Sequence, residues 1–258
     1  MPDLPAELFY AEIAASTAAL AVLIDSEDPE LPIPTCPDWT LRQLATHVGR
    51  AQRWAAQIVA TRSAAMIGFR AVPDAKIPDE PAARGSWLTG GADRLVEVLR
   101  DAGQEHVWTF DGLGPAGFWA RRMAHETLVH CADAQLAAGD DFTIAPELAA
   151  DAIDEWLTVI AVPRAGQPDP RAEALLPGRT LHIHATDAEL GQAGEWLVAH
   201  TEDGVQVRTC HEHGDVALTG PAAELLLVLL RRRPPVEPTV RVFGDQPLLD
   251  QWLAHSSF

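Results

Sequence analysis

The sequence predicts an α+β protein in two parts, a helical first part and a small mixed α/β second part. Two observations carry that prediction. Apolar residues recur at helical spacing through the first half, and the period switches to strand-like alternation after a Pro/Gly-rich stretch at 163–178, PRAGQPDPRAEALLPG. With 258 residues and 47% apolar content, the chain can also bury a sizeable core in two modest domains. The division is placed between a helical domain at 1–165 and an α/β domain at 166–258.

The elements follow in order. In residues 5–25, Phe9, Ile13, Leu20 and Leu23 mark a helix. LPIPTCPDW then breaks it and forms an extended loop. A second helix opens at Thr40, where Thr40 and Gln43 have capping-box spacing, and Leu41, Leu44, Val48, Ala51, Ala55 and Ile58 form one stripe. A third helix runs from about Ser86 to Arg100 and is capped by Gly103; a fourth runs from about Phe118 to Ala138 and stops at Gly139. Pro146 opens a fifth, ending before Pro163. Beyond 178, RTLHIHATD reads as a strand, and EWLVAHTEDGVQVRTC as two strands around Asp203–Gly204. DVALTG is a strand leading into the helix PAAELLLVLLRRR, and TVRVFG and PLLDQWLAH are the last strand and helix.

Charge and cysteine content narrow the function classes. A formal net charge of -18 repels phosphate backbones and anionic membranes, so nucleic acid and membrane are poor partners. Cys36, Cys131 and Cys210 are an odd, sparse set without CxxC spacing, which fits a reducing compartment rather than a disulfide framework. The N-terminus lacks the basic flank and apolar run of a signal peptide, and no segment reads as long and apolar enough to cross a bilayer, so the expected location is the cytoplasm.

The chemistry concentrates on the fourth helix. Trp119, Met123, Glu126, His130, Asp133 and Ala137 fall on one face. If that face points outward, nothing follows; if it points inward, an unpaired carboxylate there is strongly unfavourable and a bound cation removes the cost. Glu126 and His130, four positions apart, can converge on one ion, and His47, beside Leu44 and Val48 on the second helix, is a natural third ligand. Three ligands leave coordination positions free, as a catalytic centre needs; histidine with carboxylate suits zinc, and also iron, nickel or manganese. Asp133 is placed to hold the second ring nitrogen of a ligand or a bound water. Trp39 and Trp119 are candidates to line the pocket, although aromatics on helices are more often core. Cys36 and Cys131 are read as structural.

At TCPDWTLRQLATHVG, WARRMAHETLVHCADAQLAAG with ELAADAIDEWL after it, and LTGPAAELLLVLLRRRP followed by VFGD, the chain resembles the mycothiol-dependent maleylpyruvate isomerase family of the DinB-like superfamily. The resemblance implies a DinB-like four-helix bundle followed by a smaller α/β domain. It implies a divalent metal, typically zinc, on His47, Glu126 and His130. It also implies mycothiol, a low-molecular-weight thiol, acting on a small electrophile. A divalent ion lowers the pKa of a thiol that reaches it. The sulfur then adds to an electrophilic carbon, and either rotation and elimination isomerise an alkene or the adduct is the product. The implied activity is therefore isomerase or thiol S-transferase. An arginine near the C-terminal end of the second domain's helix is implied to meet an anionic group, and Arg231, Arg232 and Arg233 all qualify; as plain helix-end cations they also complement the dipole. Arg84 and Arg122 are weaker candidates, and Arg122 has the spacing to pair with Glu126.

Two rival functions stand beside this one: a hydrolase or lyase using metal-bound hydroxide, and a non-enzymatic binding or regulatory module. A monomer and a homodimer both fit. His182 and His184 form an H-x-H pair on one side of a strand, as in cupin-like sites, but without a nearby glutamate motif they read as a solvated or domain-facing strand face. His211 and His213 read as loop residues. No P-loop, G-x-G-x-x-G or G-x-S-x-G motif occurs.

Overall fold

The computed structural model describes residues 4–160, 175–236 and 238–255. They belong to two compact units, Asp3–Phe142 and Thr143–Phe258. The architecture is α+β in two domains, a four-helix bundle followed by a small mixed α/β unit.

The bundle contains α1 (Ala6–Ser26), α2 (Leu41–Ala60), α3 (Arg84–Ala102) and α4 (Gly117–Ala138). α1 packs on α3 and α4, and α2 packs on both as well. α1 buries Phe9, Ile13, Leu20 and Leu23, the helical stripe of the sequence. It corrects one expectation: α1 is long and apolar enough to cross a membrane, with a mean hydropathy of 1.6 over an 18-residue window. Half of that window is buried inside the bundle, where its apolar side chains form core.

The Pro-rich loop before α2 is folded back on itself. The Ile33 amide donates to the Trp39 carbonyl, and the Trp39 amide donates to that of Cys36. Buried Ile33 anchors this turn to the core formed by Leu41, Leu44 and Leu88. α2 starts with the expected capping box, in which the Thr40 hydroxyl accepts from the Gln43 amide and the Gln43 side chain accepts from the Thr40 amide. α4 stops at Gly139, whose φ of 84° is left-handed and open to glycine without strain. The chain between α3 and α4 holds a hairpin that the sequence reading did not resolve: β1 (His106–Thr109) pairs antiparallel with β2 (Gly112–Pro115). Trp108 on β1 joins Trp54, Phe110 and Trp119 in an aromatic cluster.

In the second unit, α5 (Pro146–Glu155) runs into a π-helical turn at Trp156–Ile160. The sequence reading groups α5 with the bundle and divides the chain at 165/166. In the structure α5 packs on α6 (Ala222–Leu229), so the compact units part before it. The linker expected at 163–178 lies, over 163–174, outside the described residues. The sheet has strand order β5-β4-β3-β6-β7, from β3 (Thr180–Ala185), β4 (Glu195–Thr201), β5 (Gly204–Arg208), β6 (Val216–Gly220) and β7 (Arg241–Gly244). β3 and β6 are parallel and the other pairs antiparallel. The β4–β5 turn falls at Glu202–Asp203, one residue before the expected Asp203–Gly204, because Gly204 already pairs with Thr201. One face of β3 and β4 carries Leu181, Ile183, Trp196 and Val198, all without exposure. α7 (Gln246–His255) closes the unit with buried Leu248, Leu249 and Trp252.

Candidate metal centre

Helical periodicity places Glu126 and His130 one turn apart on α4, and the packing of α2 against α4 brings His47 to them. His47 Nε2 lies 2.8 Å from Glu126 Oε1, and His130 Nε2 lies 3.5 Å from the same oxygen. One donor atom from each residue falls within 4.8 Å of the others. Ligands at about 2.1 Å from a tetrahedral ion sit roughly 3.4 Å from one another, so this spread suits one divalent cation. The His47 side chain is 38% exposed, leaving the cluster open to solvent on that side.

The surrounding residues orient the three ligands. Arg122, one turn before Glu126, donates from a guanidinium nitrogen to Glu126 Oε2 at 2.6 Å. Asp133 is completely buried, and its Oδ2 lies 2.9 Å from His130 Nδ1. A proton held on Nδ1 by that carboxylate directs Nε2 toward His47 and Glu126. The Cys36 thiol donates to the same Asp133 oxygen at 3.4 Å. Trp39 covers the imidazoles, its ring centroid 4.9 Å from that of His47 and 6.1 Å from that of His130.

The electrostatics follow from burial and pairing. Burial pushes the Glu126 carboxyl up, but the Arg122 charge and hydrogen bonds from His130 and His47 outweigh it and hold the group well below the usual carboxylate range. Burial pushes His130 down, but its bonds to Asp133, Cys36 and Glu126 prevail and hold it well above the usual histidine value. Both trends favour a proton on the His130 ring beside an ionised Glu126 when no ion is bound.

His47, Glu126 and His130 are brought together as the sequence reading expects, and Asp133 and Trp39 stand beside them. Trp119 is a correction: it is fully buried, its indole donates to the Trp108 carbonyl at 2.8 Å, and it belongs to the aromatic cluster rather than a pocket wall. Arg122 pairs with Glu126, and Arg84 is buried with its guanidinium on the Pro78 and Asp79 carbonyls. Arg231, Arg232 and Arg233 follow α6 in the second unit. Arg231 is exposed with a left-handed φ of 61°, Arg232 donates to the Leu230 carbonyl, and Arg233 pairs with Glu224 at 3.1 Å. Burial pushes the Cys131 thiol up to about 12, which makes it inert near neutrality. The sequence reading missed the position of Cys36, which the C-P-D-W turn folds back over α4.

Residues 10–135 match the family description "Mycothiol maleylpyruvate isomerase N-terminal domain", and residues 147–251 match the C-terminal domain of the same family. The chain belongs to the mycothiol-dependent maleylpyruvate isomerase family. Members of that family are enzymes that use a thiol and a small-molecule substrate. A crystal structure of a mycothiol-dependent maleylpyruvate isomerase superposes with a TM-score of 0.58 at 15% identity, covering 95% of this chain and 96% of that one. A crystal structure of a histidine-to-alanine variant of such an isomerase gives 0.59 at 14% identity, with the same coverage. At these identities the superposition establishes the shared two-domain fold. No curated protein sequence matches the chain.

Proposed function

We propose that this family member is a metal-dependent enzyme that uses mycothiol to isomerise or thiolate a small electrophile, with zinc held by His47 Nε2, Glu126 Oε1 and His130 Nε2. The observation that carries the proposal is the convergence of those three atoms, from two helices, within 4.8 Å. A donor set of two imidazoles and one carboxylate fits zinc and leaves positions for a co-substrate. When bound, the ion supplies Lewis acidity that lowers the pKa of an approaching thiol toward neutrality.

The chain's own residues have distinct tasks. Arg122 fixes the rotamer of Glu126 and balances its charge. Asp133 aims His130, and the Cys36 thiol occupies part of Asp133's remaining acceptor capacity. Trp39 shields the imidazoles on one side. The cationic run at Arg231, Arg232 and Arg233 is proposed to meet an anionic substrate group, so single alanine variants there should raise KM more than they lower kcat. All three cysteines are unpaired, which supports action in the reducing cytoplasm.

The test is metal analysis with enzyme assay. His47→Ala, Glu126→Ala and His130→Ala should each keep the helical circular-dichroism spectrum, lose one equivalent of metal per chain, and lose mycothiol-dependent isomerisation or thiol transfer. Wild-type metal content in any one of them removes that residue from the centre. If mycothiol leaves the thermal midpoint of the metal-loaded chain unmoved, the thiol chemistry is refuted.

A further inference from the structure

The second unit gathers four potential ligands that the family reading does not use: His182, His184, Glu195 and His211. Strand register explains the grouping. β3 pairs antiparallel with β4 so that His184 stands opposite Glu195, and His182, two residues earlier on β3, shares their face. His211 arrives from the chain between β5 and β6. That approach depends on Gly214, where a Cβ would come within 2.8 Å of the His182 backbone nitrogen and 2.7 Å of the Val216 carbonyl. The H-x-H pair thus does have a glutamate, supplied by the neighbouring strand.

Three ring nitrogens crowd one carboxylate oxygen. Glu195 Oε2 lies 3.0 Å from His182 Nε2, 3.5 Å from His184 Nδ1 and 2.5 Å from His211 Nδ1. A carboxylate oxygen has two lone pairs, so three imidazoles cannot all donate to it well. The three imidazoles surround a common point, with ring centroids 5.9, 5.5 and 5.7 Å apart pairwise. His182 and Glu195 are buried, whereas the His211 side chain is 68% exposed, so an ion has a route in from solvent. Every donor atom falls within 4.8 Å of the others.

We propose that His182 Nε2, His184 Nδ1, His211 Nδ1 and one oxygen of Glu195 form a second metal site, specific for a divalent first-row transition ion. Three imidazoles and one carboxylate are borderline-soft donors that suit zinc, iron or cobalt over the oxygen-seeking magnesium and calcium. Cys210 is adjacent in sequence but outside the ligand group. The site is independent of the helical centre, because all four ligands lie in the second compact unit.

The test uses the full chain carrying His47→Ala and Glu126→Ala, stripped with a chelator and titrated with cobalt(II), followed by visible absorption. One cobalt per chain with ligand-field bands is expected, and adding His211→Ala should weaken binding at least tenfold. His211 is exposed, so its loss spares the fold. A chain without cobalt bands, or affinity untouched by His211→Ala, overturns the site. Should the double variant fail to fold, zinc stoichiometry of the otherwise native chain decides: two per chain, falling to one with His211→Ala, supports the site, and any stoichiometry that His211→Ala leaves unchanged overturns it. Failure of the helical centre reads out separately, as no loss of metal in His47→Ala alone.

Discussion

Asp133 and Glu126 together favour a proton on His130, which His130 has to give up if it is to serve as the proposed ligand. With no ion bound, His130 is held well above its ordinary 6.5 and Glu126 well below its ordinary 4.5. Ion binding needs the neutral imidazole, so below the raised His130 value each binding event releases a proton. Zinc affinity at the helical centre should therefore climb as pH rises through that value and level off above it, as read by chelator competition in the His211→Ala background. The stripped chain should show the linked stability pattern. The His130 contribution is fully present below 6.5 and is lost as pH rises through its raised value. The Glu126 contribution is present above 4.5 and is lost on acidification through its lowered value. A pH-independent affinity would mean that His130 is already neutral. At this scale the sequence was informative where the geometry is local: one helical turn puts Glu126 and His130 on a single face whatever the fold. It was silent on Cys36, which reaches Asp133 only because a turn folds back across 97 positions of chain.

Between elements, the position of His47 depends on how closely α2 approaches α3. Gly49, two residues on, faces the Trp87 ring, and a Cβ there would sit 2.2 Å from Trp87 Cζ3. Trp87 is itself fixed, buried with its indole donating to the Asp74 carbonyl and the Arg53 guanidinium 4.1 Å over its ring. Gly49→Ala should therefore cost about 1–3 kcal/mol by overpacking, visible as a lower midpoint in thermal melts. An unchanged midpoint would show that Trp87 moves aside freely. The helices themselves were legible because caps and apolar stripes are written in consecutive residues, as at Thr40 and Gly139. The sheet's chemistry was not. Glu195 and His184 become neighbours only through antiparallel register, which no window of sequence around either one contains. The pairing of α5 with α6 was hidden for the same reason, since the apolar stripe of α5 does not announce its partner.

Taken whole, the molecule carries a formal charge of -18, a self-repulsion that opposes compaction. Screening shortens the reach of that field from roughly 30 Å at 0.01 M salt to about 8 Å at 0.15 M. The thermal midpoint of the metal-free chain should rise across that range of sodium chloride, and divalent loading should reduce the dependence by adding positive charge to a strongly negative molecule. A midpoint that falls with salt would place the dominant electrostatic term in the surface ion pairs, such as Arg100–Glu7, rather than in the net charge.

Arg122 divides the work of the two Glu126 oxygens. Its guanidinium donates to Oε2, which leaves Oε1 the more available of the two to an ion held as proposed. Were an ion bound there, one helical turn of α4 would favour single-oxygen contact from Glu126 and leave room beside it for an incoming sulfur.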